Sequence, residues 1–429
     1  SNGVLIKSDR DRYIYIFEQR YLEKIKEDKF SILDKIKEID PKQKVQFTLS
    51  IAISNEGKND KDKYKSAQTA MDIVLGRGGD QAVIRQNEIY KFFGGRTQEV
   101  EKRTKVKARV VAHALENLIK ESSKVMIMGH TNPDIDAMGS SIGVYRIAKS
   151  LDKNAYIITS NTPTLQSFKE SLLAEEPEYE DVLISKEVAE ENIDEDTLLV
   201  IVDTHKNTYV ESEEVVKKAK KIVVIDHHRR SADYIEDATL TFQEVYASSA
   251  AELVTELLQY TDVNVELKKI EAESLYAGIM MDTKSFTFKT GVRTFEAAAY
   301  LRRCGVDIIK VKKWFQSDLQ SFNIIADIVK SAEIVNESIA IAIYDKEKAK
   351  DVSLICAKAA DELLTINDVT ASFVLGNTGD KICISGRSIG DINVQVILEK
   401  LGGGGHITLA GAQVEGMTME EAKQELIIR

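Results

Sequence analysis

The segment His130-Thr-Asn-Pro-Asp134-Ile-Asp136 puts one imidazole and two carboxylates within seven residues. Carboxylates held that close repel each other unless positive charge lies among them, and a bound divalent cation is the simplest source of it. Three further places carry the same residue types: Asp203, the triplet Asp226-His227-His228, and Asp282. Taken together, His130, Asp134, Asp136, Asp203, His227 and Asp282 offer enough oxygen and imidazole donors for two metal ions that share one carboxylate. A pair of ions held in this way can activate a water for hydrolysis.

The neighbouring residues say how such a set is positioned. Val125-Met-Ile-Met-Gly129 precedes His130, Leu198-Leu-Val-Ile-Val202 precedes Asp203, Ile222-Val-Val-Ile225 precedes Asp226, and Ala277-Gly-Ile-Met-Met281 precedes Asp282. Continuous aliphatic runs mark parallel strands buried on both faces, and open α/β sheets bind ligands beyond the carboxyl ends of their strands. If the four runs are neighbours in one sheet, their ends converge on one crevice. A lone Asp after an apolar strand is more often a turn former or helix cap. Four acidic sites in order, each after an apolar run, argue for a function.

Composition narrows the class. A chain of 429 residues has room for two or three domains, and 43% hydrophobic with 30% charged residues is ordinary for a globular protein. No run approaches the ~18 apolar residues of a membrane span. Cys304, Cys356 and Cys383 are scattered with no close pair in the sequence, which points to a reducing compartment and against a cysteine-bound zinc site. A net charge of −11 argues against sequence-independent grip on long nucleic acid and leaves room for a small phosphorylated substrate.

The triplet Asp226-His227-His228 resembles the one that gives the DHH phosphoesterase family its name. Ser385-Gly-Arg387-Ser-Ile-Gly-Asp-Ile-Asn393 and Leu401-Gly-Gly-Gly-Gly-His406 are similar to the DHHA1 domain that accompanies it. The resemblance implies His130, Asp134 and Asp203 around one metal, and Asp136, Asp203, His227 and Asp282 around the second, with Asp203 bridging. It gives catalytic roles to Asp203 and to His228, which touches substrate phosphate or orients His227. Mixed imidazole and carboxylate ligation suits two Mn2+ ions better than Mg2+. Glycines let backbone amides close on a phosphate, so Gly404, Gly405 and His406 are assigned to substrate binding, with Arg387 as a planar cation beside them.

Residues 1–95 follow another pattern. Tyr13–Phe17 and Val45–Ile53 alternate as strands, Glu18–Ile39 and Asp62–Leu75 as helices, and Ala82–Arg85 with Ile89–Phe93 as a hairpin around Gln86-Asn-Glu88. This order resembles the later part of a GGDEF (diguanylate cyclase) domain. Gly78-Gly79-Asp80 mimics the signature in the wrong place. The matching position, Ser8-Asp-Arg-Asp-Arg12, lacks the glycine pair that admits a nucleotide phosphate, so the domain reads as degenerate and partial.

The combination is similar to the GdpP-type cyclic di-AMP phosphodiesterases. The architecture this implies is an α/β protein in successive parts: a partial α+β GGDEF-like domain (1–95), a linker helix (96–123), a parallel-sheet DHH domain (124–305), connecting helices including Trp314 (306–331), and a smaller mixed DHHA1 domain (332–429). His113, on the linker helix, reads as structural. The expected reaction opens cyclic di-AMP to linear pApA. A nanoRNase or pAp phosphatase and a catalytically silent nucleotide sensor are the alternatives. The resemblance further implies a dinucleotide substrate, a homodimer, no long nucleic acid, and a cytoplasmic chain whose intact protein is anchored at the inner face of the bacterial membrane.

Overall fold

The structure is a computed structural model. It describes residues 3–8, 12–28, 30–37, 48–76, 80–86, 89–94, 105–230, 233–316, 318–345, 352–379, 381–390 and 392–428. Within the sequence expectations, residues 9–11 of the Ser8–Arg12 string, Gly78 and Gly79, the 87–88 turn and residues 96–104 of the linker lie outside the described residues. The chain divides into two compact units, Ser1–Trp314 and Phe315–Arg429.

The first unit opens with an antiparallel pair, β1 (Val4–Lys7) and β2 (Tyr13–Ile16). The charged stretch after it forms two short helices, Leu22–Glu27 and Ile32–Lys37, rather than one. The break contains Phe30 at φ +58°, a conformation that no helix interior accepts. A three-stranded sheet follows: β3 (Ile51–Ser54) parallel to β4 (Gln81–Gln86), which pairs antiparallel with β5 (Ile89–Gly94). The helix α1 (Asp60–Gly76) connects β3 to β4. Helix α2 (Lys105–Lys120) comes next, and its apolar face, Ala108, Val111, Ala112, Leu115 and Ile119, is buried in the large core. Spacings of three and four residues put these side chains on one stripe.

That core surrounds a six-stranded parallel sheet in the order β11-β10-β9-β6-β7-β8. Its strands are β6 (Lys124–Met128), β7 (Asn154–Ile158), β8 (Leu183–Ile184), β9 (Leu198–Val202), β10 (Lys221–Asp226) and β11 (Leu240–Gln243). All five residues of β9 are buried, as a strand covered on both faces requires. The chain winds outward from β6 to β8 and then returns to β9 on the other side of β6. The β6–β9 gap is therefore the topological switch point, where such sheets place their ligands.

One expectation fails here. Ala277–Met281 is not a strand but the last part of helix α5 (Lys269–Asp282), which crosses helix α3 (Ile135–Ser150) beside helix α4 (Ala250–Leu258). A five-residue apolar run cannot by itself distinguish a strand from a buried helix segment. The Glu, Ala, Leu and Met that surround it are helix formers, and the Glu271 side chain accepts from the Lys268 amide at the helix start. Asp282 thus stands at a helix end, and three strand ends carry the rest. Gly139, Gly143 and Gly278 permit the tight crossing: a Cβ on Gly139 would lie 2.5 Å from the Ser274 carbonyl oxygen.

Helices α6 (Val292–Arg303) and α7 (Ile308–Trp314) close the unit. Trp314 donates to Ser171 Oγ at 3.1 Å and meets Phe168 edge-on, so it packs within the unit.

The second unit begins with α8 (Leu319–Lys330) and has a mixed six-stranded sheet, β12-β13-β14-β15-β17-β16. The strands are β12 (Glu333–Val335), β13 (Ile339–Tyr344), β14 (Ala371–Asn377), β15 (Ile382–Ser388), β16 (Gly404–His406) and β17 (Leu409–Val414). Only the β13–β14 pair is parallel, because α9 (Val352–Leu363) crosses over between them. Strand alternation divides the core: Val374 and Cys383 face α8 and α9, whereas Phe373, Leu375, Ile382 and Ile384 face α10 (Val394–Glu399) and α11 (Met419–Ile428).

Candidate metal centre

The loop after β6 carries His130 and then turns into α3. Asp134 is the N-cap of that helix, and its Oδ1 accepts from the Asp136 amide at 2.9 Å and the Ala137 amide at 3.1 Å. Its Oδ2 approaches His130 Nε2 at 3.8 Å. Asp136, fully buried in the first turn of α3, is fixed by a second helix start. Its Oδ2 accepts from the Ala250 amide and its Oδ1 from the Ala251 amide, both at 2.8 Å, at the beginning of α4. Helix N-termini offer unsatisfied amides and favour negative charge, which explains why two acids so close in sequence are both held there.

Asp203 follows β9 and sits between the histidines. Its Oδ2 is 3.5 Å from His130 Nε2 and its Oδ1 is 3.3 Å from His227 Nε2. Its backbone is left-handed, φ +59°, a conformation that Asp tolerates better than most residues. The Asp203 amide donates to the Ile225 carbonyl at 2.9 Å, which ties the turn to β10. His227 Nε2 also stands 3.0 Å from Asp282 Oδ2 and 4.0 Å from Asp136 Oδ2. The donor atoms of His130, Asp134 and Asp203 lie within 4.8 Å of one another, as do those of Asp136, His227 and Asp282. The structure therefore brings together all six of the side chains singled out as metal ligands.

These approaches are close but not aligned as hydrogen bonds. His227 Nδ1 and Nε2 and Asp203 Oδ1 are buried with no hydrogen-bond partner among the described residues. Buried polar atoms are almost always satisfied. Unpaired imidazole nitrogen and carboxylate oxygen converging on one point fit a divalent cation.

The electrostatics agree. Burial disfavours a charged His130, but Asp134 and Asp203 outweigh it and its pKa is pushed up to about 12. His227, wholly buried, is likewise held well above its ordinary value by Asp203 and Asp282. Burial and the charges of Asp203 and Asp282 raise Asp136 well above the usual carboxylate range. Asp203 moves down despite burial, because both histidines stand beside it.

Several supporting residues have no role assigned from the sequence. Asp226, the first member of the triplet, is fully buried and does not face the cluster. Its Oδ1 contacts His228 Nδ1 at 2.8 Å, and its Oδ2 contacts His205 Nδ1 at 2.5 Å. Gln243 donates to the His228 carbonyl at 2.8 Å and accepts from Arg230 at 3.0 Å. His205 lies two residues beyond Asp203, and that spacing is the only sign of it in the sequence. Tyr209 stacks on His130 with ring centroids 5.2 Å apart and 4° between planes. The Thr131 amide donates to the Tyr209 carbonyl at 3.0 Å, so the loop after β9 braces the loop after β6.

The residues expected to bind substrate belong to the second unit. Arg387 is buried on β15, where it donates to Asp361 Oδ1 at 2.9 Å and to the Gly386 carbonyl at 2.9 Å. Gly404 and Gly405 are in β16. A Cβ on Gly404 would meet nothing within 4 Å, whereas Gly405 has φ +148° and a Cβ there would strike the Leu409 carbonyl oxygen at 2.4 Å. His406 pairs with Leu409 in the ladder, and its side chain lies outside the described part of the structure. His113 has acidic neighbours: Asp262 Oδ2 stands 3.1 Å from its Nδ1, and Glu116 is close by. Both Glu116 oxygens are already engaged, one by Lys120 and one by the Asp262 amide.

A parallel sheet whose switch point gathers two histidines and four aspartates, followed by a mixed-sheet unit, defines a class. Residues 124–279 match the DHH family N-terminal domain and residues 322–428 the DHHA1 domain, and the chain belongs to the DHH phosphoesterase family. Residues 1–92 match the GGDEF domain described as cyclic-di-AMP phosphodiesterase GdpP-like. The chain is 45% identical over 430 residues to the cyclic-di-AMP phosphodiesterase GdpP of Geobacillus thermodenitrificans, covering 99% of this chain and 65% of that protein. It is 44% identical over 422 residues to the cyclic-di-AMP phosphodiesterase PdeA of Listeria monocytogenes, covering 97% of this chain and 64% of that one. The chain thus spans just under two thirds of these relatives. Among solved structures, an exopolyphosphatase-related protein from Bacteroides fragilis shares the fold, with TM-score 0.66 and 22% identity over 74% of this chain and 96% of that one. Among the described residues no helix is long and apolar enough to cross a membrane.

Proposed function

We propose that the chain is a metal-dependent phosphodiesterase that opens cyclic di-AMP to linear pApA. The observation that carries this reading is Asp203, whose two oxygens address the two halves of the cluster separately. His130, Asp134 and Asp203 would hold one divalent ion, and Asp136, Asp203, His227 and Asp282 the other. Manganese is the favoured ion, since mixed imidazole and carboxylate donors suit it. When bound, such ions lower the pKa of a water and stabilise charge developing on the phosphate oxygens.

The chain's own groups do the positioning. Helix starts fix Asp134 and Asp136, and burial of His227 and Asp203 shields the inner part of the cluster from solvent. His228, held through Nδ1 by Asp226 and 38% exposed in its side chain, would contact the substrate phosphate. Gly404, Gly405, His406 and Arg387 are proposed to recognise the rest of the nucleotide, Arg387 by way of a guanidinium that Asp361 holds in place. The similarity to GdpP and PdeA over nearly the whole chain supports cyclic di-AMP as the substrate.

The test is product analysis of the purified chain with Mn2+ and, separately, cyclic di-AMP, cyclic di-GMP, pApA and pAp. Conversion of cyclic di-AMP to pApA at a rate well above that for the other substrates supports the reading. Phosphate release from pAp as the faster reaction would favour the nanoRNase class, and binding without turnover would favour a sensor.

A further inference from the structure

Cys356 and Cys383, apart in the sequence, meet inside the second unit. Cys356 lies on α9 and Cys383 on β15; both are buried, both are free thiols, and they share an apolar cluster with Tyr344, Leu363 and Val374. Gly376 allows the meeting. It stands opposite Cys383 in the β14–β15 register, and a Cβ there would lie 2.4 Å from Cys356 Sγ and 3.1 Å from Cys383 Sγ. The two sulfurs thus fill the space that a side chain at this position would take, both within 3.1 Å of that one point.

We propose that Cys356 and Cys383 form an oxidation site, closing to an intramolecular disulfide that ties α9 to β15. Helix and strand are already joined further along by the Asp361–Arg387 ion pair, so the cross-link fixes a contact that exists before oxidation. Buried thiols are ordinarily inert. Here the partner sulfur crowds the same point beside Gly376, the oxidant required is small, and the Cys356 thiol holds the pKa of Cys383 down, which favours its thiolate. Hydrogen peroxide serves as oxidant. Cys383 sulfur attacks one peroxide oxygen, an S–O bond forms as the O–O bond breaks, and the departing hydroxide leaves as water with the thiol proton. Cys356 sulfur then attacks the sulfenic sulfur, the S–S bond forms as S–O breaks, and a second water carries away the Cys356 proton. Two thiols lose two electrons and one peroxide gains them. The inference is independent of the hydrolysis proposed above.

The experiment uses the full chain treated with hydrogen peroxide, quenched, denatured and alkylated with iodoacetamide, then digested without reduction for mass spectrometry. Alkylatable thiols should fall from three to one, leaving Cys304. The peptides containing Cys356 and Cys383 should appear joined, lighter by two hydrogens, and separate again with dithiothreitol. C304A should behave like the parent chain, and C383A should lose the cross-link. Three alkylatable thiols after treatment, over-oxidation of either cysteine without a cross-link, or a disulfide only between chains through Cys304 would overturn the proposal.

Discussion

Gly278 is not a ligand, yet its substitution by Ala should disturb the metal centre. A Cβ at this position would lie 2.7 Å from Asp136 Oδ1, 2.9 Å from Asp136 Cα and 2.9 Å from Ala251 Cβ. Ordinary carbon contacts are about 3.5–4.0 Å. One obstacle is backbone and another is a carboxylate fixed by two amides, so neither yields cheaply. Overpacking of this kind costs about 1–3 kcal/mol, and the obstacles here argue for the upper end. The better helix propensity of Ala offsets up to about 1 kcal/mol of it. A net destabilisation of about 2 kcal/mol should lower the unfolding midpoint by roughly 4–8 °C, at about 2–4 °C per kcal/mol for a domain of this size. Displacing Asp136 should also raise the Mn2+ concentration needed for half-maximal hydrolysis by roughly tenfold to a hundredfold, as loss of a supporting contact commonly does. Thermal unfolding of the metal-free chain and a Mn2+ activation curve measure the two effects separately. Unchanged unfolding together with an unchanged metal requirement would refute the claim that α5 presses on Asp136.

Other expectations follow from the same geometry. Asp203→Asn should abolish metal-dependent hydrolysis while leaving the circular dichroism spectrum unchanged; residual turnover in the wild-type chain after chelation, with metal content checked, would refute the metal role. His205→Asn removes a charge-assisted contact to Asp226, typically about 1.5–3 kcal/mol, and should lower kcat roughly tenfold to a hundredfold with the metal requirement unchanged; an altered metal requirement instead would place His205 with the ligands. Because His130 and His227 are raised in the metal-free protein and must be neutral to ligate, metal binding should release protons and tighten as pH rises, by about tenfold per pH unit for each proton displaced. Calorimetry in buffers of different ionisation enthalpy counts those protons, and a pH-independent affinity would contradict the assignment. Incubation with GTP and Mg2+ should give no cyclic dinucleotide, since Ser8–Arg12 lacks the glycine pair.

The sheet and the cluster are legible in the sequence because each candidate ligand lies at an element boundary that leaves a mark on it. Aliphatic runs announced β6, β9 and β10, and an acid or histidine followed each. Asp282 differs: its apolar run is a helix end rather than a strand, and a short run of Ala, Ile and Met carries no period long enough to say so. The braces were not legible. Asp226 and His205 contact each other only because β9 and β10 are neighbours, and that adjacency is a property of strand order rather than of local pattern. The meeting of Cys356 and Cys383 depends likewise on which strand α9 packs against, which residue spacing along the chain does not encode. Glu18–Ile39 read as one helix because its charge pattern is continuous, whereas the break contains a left-handed Phe30 that no residue preference predicts.

Charge accounts for why the cluster has this composition. Asp134, Asp136, Asp203 and Asp282 bring four carboxylates close to two imidazoles; His130, Asp136, Asp203 and His227 are buried, and Asp134 and Asp282 are partly exposed. Burial and the charges of Asp203 and Asp282 drive Asp136 toward its neutral form, while Asp203, also buried, keeps its charge beside His130 and His227. Helix N-termini stabilise Asp134 and Asp136 but carry only about half a unit of positive charge each. Two divalent ions balance four carboxylates and leave both imidazoles neutral, the form in which they ligate. A single ion would leave two uncompensated negative charges in a buried site, which is costly. The charge count therefore favours two ions over one, on grounds separate from the family resemblance.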